Sequence, residues 1–305
     1  MIRRPRPWID RGEIVTGERL QSLTDISLVP LHVLEFHRHV ERHVREMVVF
    51  EDPTALDDAT LERLSAKRTL FVYTHELRPF IEHVWPRLTG SGYVLMTHNS
   101  DFEVDATYLP WVDAAGDKLA SWLAQNVLVE HPKIAPLPIG VANGMWPHGN
   151  LRTLHRAIGR AAATPKSKLA YLQFNAQTHP ARRPAWDALR ENFPQLGAAP
   201  PAPKPFRGYL ADLARHRFAV APRGNGADTH RFWECLYLGV VPITARCWHS
   251  EHWERQGLPV VLVDDWAHVT VEFLEGQQRA LASREPLLLS TYAAAVETAC
   301  VEPAR

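Results

Sequence analysis

Short apolar runs recur along most of this chain at intervals too long for a hairpin and suited to an intervening helix, and that rhythm limits the fold more than any other feature. Residues 69–74 (TLFVYT) and 93–97 (YVLMT) read as strands, with a helix over 79–88 between them. SWLAQN, ending at Asn126, and KIAPLPIGV follow. The rhythm restarts at Lys168 with LAYLQF and continues through 218–221, 240–244 and 259–263. Strands separated by helices imply parallel sheets. The expected fold class is α/β: two tandem Rossmann-like, doubly wound parallel-sheet domains, residues 1–150 and 151–305, facing a cleft. Residues 271–281 and 287–296 are helix-like, and the last of these can pack back on the N-terminal domain. Residues 148–168 are a linker or a crossing helix.

The first stretch is less regular. Residues 1–30 show no clear period and read as an irregular arm, 31–44 as a helix, 46–50 as a strand and 54–64 as a helix capped by Thr54. His39 and His43 stand at i,i+4, a spacing that suits one metal ion. No Glu-x-x-His or cysteine partner is near, so they read as solvated helix positions.

The segment FAVAPRGNGADTHRFWECLYLGVVPIT, residues 218–244, carries most of the chemistry. It reads as strand (218–221), loop (222–227), helix (229–238), stopping Gly239 and strand (240–244), one β-loop-α-β unit. The loop, with Arg223, Gly224, Asn225 and Gly226, lets backbone approach a ligand closely, and it opens into a helix N-terminus that favours an anion. Asp228 is a fair N-cap. Arg231 and Glu234, three apart, share one side of the helix, while Phe232, Leu236 and Gly239 face the sheet. Taken alone, an Arg/Glu pair at this spacing is a surface ion pair. Its coincidence with the loop and Arg223 points to a phosphate or diphosphate site.

This segment resembles the nucleotide-sugar-binding motif of exostosin-like glycosyltransferases, the family 47 type: an apolar strand into P-R-G, an acidic residue, an Arg, a following Glu, and G-x-x-P-[VI]. The resemblance is weaker over 69–146 and does not extend to the first 60 or so residues. It implies the two-Rossmann GT-B fold, Arg231 on the donor diphosphate and Glu234 on the nucleotide ribose, with a UDP-sugar favoured as co-substrate and no other cofactor. Relatives also carry a basic residue after the strand corresponding to LAYLQF, which implies a diphosphate clamp at Arg182 or Arg183. I-G-x-x-N-G in PLPIGVANGMW is similar to the stretch at which such enzymes cross between domains; it also reads as a simple loop with turn residues.

Transfer of a sugar with inversion needs a base for the acceptor hydroxyl. Two polar strand ends of the first domain qualify. Asp101 ranks first and Glu76 second, with His98 and His75 behind them; His75, Gln125 and Asn126 are further candidates for holding the acceptor. No D-x-D is present, and Asp57–Asp58 and Asp264–Asp265 are wrongly spaced for it, so the expectation is metal-independent chemistry with no metal ligands. Asp264 and Asp265 read as caps of the next helix.

Composition narrows the rest. Lys+Arg and Asp+Glu are both 34, so nothing in the net charge calls for nucleic acid or an anionic membrane. The three cysteines are too scattered for a disulfide framework or thiolate zinc site. No apolar run approaches a transmembrane length of ~18 residues, and a cytoplasmic location is expected. The leading function is an inverting glycosyltransferase with a glycan or other hydroxyl acceptor. A nucleotide-sugar hydrolase or epimerase, and a non-catalytic nucleotide- or sugar-binding protein, are the alternatives. The absence of G-x-G-x-x-G after a strand and of G-K-[ST] speaks against a dinucleotide or P-loop enzyme.

Overall fold

A computed structural model describes residues 6–36, 40–196 and 204–301. The chain divides into two compact units, Val15–Ile139 with Leu289–Arg305, and Gly140–Leu288 with Met1–Ile14. The division therefore falls about ten residues before the expected one, and the start of the chain belongs with the second unit.

The N-terminal unit is built on a six-stranded, all-parallel sheet: β1 (Ile26–Pro30), β2 (Met47–Phe50), β3 (Thr69–Tyr73), β4 (Tyr93–His98), β5 (Leu119–Gln125) and β6 (Ile134–Leu137). The order is β2-β1-β3-β4-β5-β6, so the direction of winding reverses between β1 and β3. Strands β1, β3 and β4 are buried at every position, the mark of strands covered on both faces. Around them lie α1 (Gly17–Gln21), α2 (Leu31–Phe36), α3 (Asp58–Ser65), α4 (Leu109–Ala115) and the C-terminal helix Leu289–Val301.

Several local expectations change. The supposed arm contains both α1 and β1, and β1 sits inside the sheet. Asp57, not Thr54, caps α3, accepting from the Thr60 amide at 2.8 Å; Thr54 is bound to Asp52 instead. In place of one helix over 79–88, residues 74–87 form a succession of short helical turns. The expected helix over 31–44 is described only as Leu31–Phe36 and a 3₁₀ turn at Val40–Arg42. His39 lies outside the described residues.

The second unit has a four-stranded parallel sheet, β7 (Lys168–Tyr171), β8 (His216–Val220), β9 (Val241–Ala245) and β10 (Val261–Val263), in simple sequential order. Its helices are α5 (Leu151–Ala161), α6 (Arg182–Asn192), α7 (Phe206–Leu213), α8 (His230–Tyr237) and α9 (Trp248–Arg255). Phe174, Trp186, Phe218, Val220, Ile243 and Val261 are among its core. Residues 271–281 are helical only over Val271–Glu275. Asp265 caps a 3₁₀ turn at Trp266–His268, whereas Asp264 pairs with Arg246 at 2.9 Å. Among the described residues no helix is long and apolar enough to cross a membrane.

Candidate functional site

Strand β8 delivers the chain to the loop at 222–227 from its carboxyl end, flanked by β7 and β9, with which it pairs through Tyr171↔Ala219 and Val220↔Ile243. Helix α8 follows, and Gly239 at φ +64° turns the chain out of it towards β9, a backbone state that costs glycine nothing. The loop glycines are different. Neither Gly224 nor Gly226 has a positive φ, and a Cβ on Gly224 would meet only ordinary contacts at 3.7 Å or more.

Asp228 does not cap the helix. Thr229 is the N-cap, without a side-chain bond. The Asp228 carboxylate turns inward, accepts from the Trp233 indole at 2.9 Å on both oxygens and from the Thr229 amide at 2.8 Å, and lies 3.4 Å from His249 Nε2. It is buried and anchors the loop to α8 and α9, where the sequence reading expected it at the donor.

Arg182, expected at the diphosphate, is also held by the protein itself. Its guanidinium donates to the carbonyls of Arg223 at 2.6 Å, Pro222 at 3.1 Å and Asn175 at 3.1 Å. Burial, and next the nearby Arg231 charge, pull its pKa down to about 10. It is a strut joining the loop after β7 to the loop after β8. Arg223 folds back on its own loop, donating to the Asn225 carbonyl at 2.9 Å. Arg183 is exposed and paired with Asp187 at 2.9 Å.

Arg231 and Glu234 share the wall of a cavity of ≈ 970 Å³ with Gln173, Asn175, Arg183 and Lys204. Arg231 Nη1 donates to the Gln173 carbonyl at 2.5 Å and more weakly to Val220 at 3.4 Å. Its guanidinium stands 5.7 and 5.5 Å from the ring centres of Tyr171 and Tyr209, within cation–π range. Burial works against the Arg231 charge, but Tyr209 and its other neighbours, Glu234 among them, hold the pKa above its ordinary value. Glu234 is buried and accepts from the Tyr209 hydroxyl at 2.8 Å. Burial pushes its carboxyl up to about 7, although the Tyr209 hydroxyl and Arg231 pull the other way.

A feature that sequence reading missed completes this wall. Four lining rings form a connected run: His148 meets Phe206 edge-on at 6.5 Å, Phe206 stacks on Tyr209 at 6.3 Å and Tyr209 meets Tyr171 at 5.9 Å, with Trp146, outside the lining, stacked on His148 at 6.2 Å. They come from three separate segments, so no local pattern announces them. Gly149 helps to present His148 and Trp146, because a Cβ there would come within 1.9 Å of the Asn143 carbonyl; the turn closes only on glycine.

Neither models of known protein families nor curated proteins match this chain.

In the N-terminal unit three expected residues are engaged elsewhere. His98 is buried, with Nε2 2.9 Å from the Pro138 carbonyl and Nδ1 accepting from the Asn99 amide at 2.7 Å. Both nitrogens have partners within the unit. Gln125 and Asn126 hold the loop after β4: Gln125 accepts from the Asn99 amide and donates to Ser100, and Asn126, at φ +55°, donates to Ser100 and Phe102. Both side-chain amides thus fasten that loop. Asp101 is exposed, and Glu76 is half-buried with Oε1 4.0 Å from His75 Nε2. Among the described residues no group of three or more His, Cys, Asp or Glu side chains is placed to hold a metal ion.

The position of Glu234 has a measurable consequence. Its ordinary value of 4.5 is raised to about 7 in the fold, so the unfolded chain ionises first as pH rises. Stability should fall between about pH 4.5 and 7, by up to about 3 kcal/mol from this group. Urea melts at several pH values should show that slope, and Glu234→Gln should flatten it. An unchanged slope would mean that the carboxyl titrates normally.

Proposed function

We propose that this chain is an inverting glycosyltransferase of the exostosin-like type, moving a sugar from a nucleoside diphosphate sugar, with UDP-sugar favoured, to a hydroxyl of a glycan or other acceptor. The observation that carries this reading is Arg231 and Glu234 on one cavity wall beside a run of aromatic rings. A diphosphate requires positive charge and fork-like donors, which Arg231 supplies with Arg183 and Lys204 nearby. Ribose hydroxyls require acceptors, and Glu234 is one. A nucleobase requires a flat apolar surface, which Phe206, Tyr209 and His148 offer. A site for inorganic phosphate alone would have no use for those rings.

In the proposed reaction the bond from the sugar to the diphosphate breaks and negative charge grows on the leaving group, where Arg231 and the neighbouring cations stabilise it. With that charge supplied by side chains, the reaction is proposed to run without a metal ion. The acceptor hydroxyl attacks from the opposite face, and its proton passes to a carboxylate of the N-terminal unit, Asp101 before Glu76. The pairing of the two parallel-sheet units as a GT-B enzyme is part of the proposal.

The test is acceptor-dependent turnover. UDP release from a panel of UDP-sugars should require an added glycan acceptor and should fall to background in Arg231→Met. Release that proceeds equally without acceptor would replace transfer by hydrolysis, and release unaffected by Arg231→Met would place the chemistry elsewhere.

A further inference from the structure

A strand at the end of a sheet carries a row of backbone N–H and C=O groups that the sheet itself does not satisfy, and proteins blunt such rows with proline, charge or a covering element. The N-terminal sheet ends at β2 on one side and β6 on the other. The β6 edge is guarded. The Trp122 amide donates to the Lys133 carbonyl at 2.7 Å, and Ile134 lies opposite Trp122, so strand alternation turns the backbone of residues 134 and 136 outward. Position 136 is a proline, which has no N–H to offer there. Among the described residues β2 has no such device, and no strand lies beyond it. The Ser27 amide donates to the Glu46 carbonyl at 2.9 Å, with Ser27 opposite Met47. Residues 46, 48 and 50 therefore turn their backbone groups to β1, while Met47 and Val49 turn theirs to the open edge.

The side chains alternate in the same way. Val48 and Phe50 are buried, whereas Val49 is 44% exposed, Met47 is half-buried, and Arg45 and Glu51 beyond them are exposed. That second face reads Arg45, Met47, Val49, Glu51: cation, apolar, apolar, anion. Set antiparallel against a copy of itself about a two-fold axis at Val48, it is self-complementary. Arg45 faces Glu51, Met47 faces Val49, and each pair occurs on both sides of the axis. The backbone agrees, because Met47 and Val49 are the residues whose amides and carbonyls point outward, so each such pair exchanges two hydrogen bonds. A slip of two residues leaves Arg45 opposite Val49 or Pro53, and a slip of one sets inward-turned groups against outward-turned ones. The other charges nearby are engaged within the chain: Glu46 pairs with Arg63 and Lys67, and Asp52 accepts from Thr54. Arg45 stands 3.7 Å from Asp25, an exposed contact that holds it only weakly.

We propose that β2 is a self-association edge: two copies of this chain pair β2 with β2, antiparallel about a two-fold axis at Val48, and join their N-terminal sheets into one. Main-chain hydrogen bonds supply the attraction, and the alternate side chains set the register. The two-fold arrangement satisfies both β2 edges at once, and Pro136 keeps the opposite edge from recruiting further copies. With one strand of four residues from each copy, the dimer is weak, its Kd on the order of 10 µM. No residue of the cavity in the second unit takes part, so the pairing stands or falls apart from the transferase reading.

Sedimentation equilibrium of the intact protein, at concentrations up to about 200 µM, should show a monomer–dimer equilibrium. Val49→Pro removes an outward amide that makes no bond to β1, so the melting temperature should barely move while the dimer Kd rises at least about tenfold. The charges test the register. Arg45→Glu and Glu51→Arg each set like charges opposite one another on both sides of the axis, and each should weaken the dimer about tenfold. An equimolar mixture of these two single variants should regain the parent's association, because in the mixed dimer each position 45 again faces an opposite charge at position 51. A protein that stays monomeric over the whole range, or a dimer indifferent to Val49→Pro, overturns the inference. So does a mixture that associates no better than its two components, since β2 would then not pair in this register.

Discussion

Arg231→Met should weaken UDP binding by about a hundredfold, the scale of losing a pair of charge-assisted hydrogen bonds to a diphosphate. Arg231 is the most enclosed cation on the cavity wall: Arg183 is exposed and paired with Asp187, and Lys204 is exposed and paired with Asp212. Methionine keeps much of the side-chain length and removes the fork. Arg231→Lys should recover only part of the affinity, because an ammonium cannot both reach a diphosphate in two places and keep its bond to the Gln173 carbonyl. The substitution also removes the cation beside a buried carboxylate, which costs stability. The double variant Arg231→Met/Glu234→Gln removes that carboxylate's charge as well. It should melt closer to the parent protein while UDP affinity stays low, which separates lost binding from lost folding.

The second large effect belongs to Arg182, which braces two loops through their backbone carbonyls. Arg182→Met leaves the carbonyls of Arg223, Pro222 and Asn175 without their donor and frees the loop after β7 from the loop after β8. The expected loss is about 2–4 kcal/mol in stability and about tenfold in UDP affinity, since a cavity wall that must be ordered on binding weakens it. Arg183→Ala is the counterpart. Its exposed pair with Asp187 is worth at most about 1 kcal/mol, so stability should barely move. Denaturant melts that show the reverse order would mean that the strut and the surface residue have been exchanged.

Those two neighbours show how far sequence reading reaches. The β-loop-α-β unit was legible because each part carries a local signal: an apolar strand, a loop with glycines, a helix and a stopping Gly239. The i,i+3 relation of Arg231 and Glu234 follows from helix geometry alone. Nothing local tells Arg182 from Arg183, because what separates them is three backbone carbonyls up to 41 residues away. Asp228 looked like a cap for the same reason, its Trp233 partner being one turn along the helix and its His249 neighbour on another helix. His98, Gln125 and Asn126 looked available because polar residues at strand ends look alike until the loop they fasten is known. At the fold level, β1 was lost in a stretch without period. ISLVP contains a serine and ends in proline, yet Pro30 is tolerated because its register partner is Phe50 and the pairing with β3 ends at Leu28↔Val72. The same omission hid the β1/β3 reversal.

The most direct test of the donor site is thermal unfolding with and without nucleoside diphosphates. UDP at ~100 times its Kd should add about 2.7 kcal/mol of apparent stability, and the gain should vanish in Arg231→Met/Glu234→Gln. No stabilisation by any nucleoside diphosphate, or an equal gain in that variant, would contradict the account.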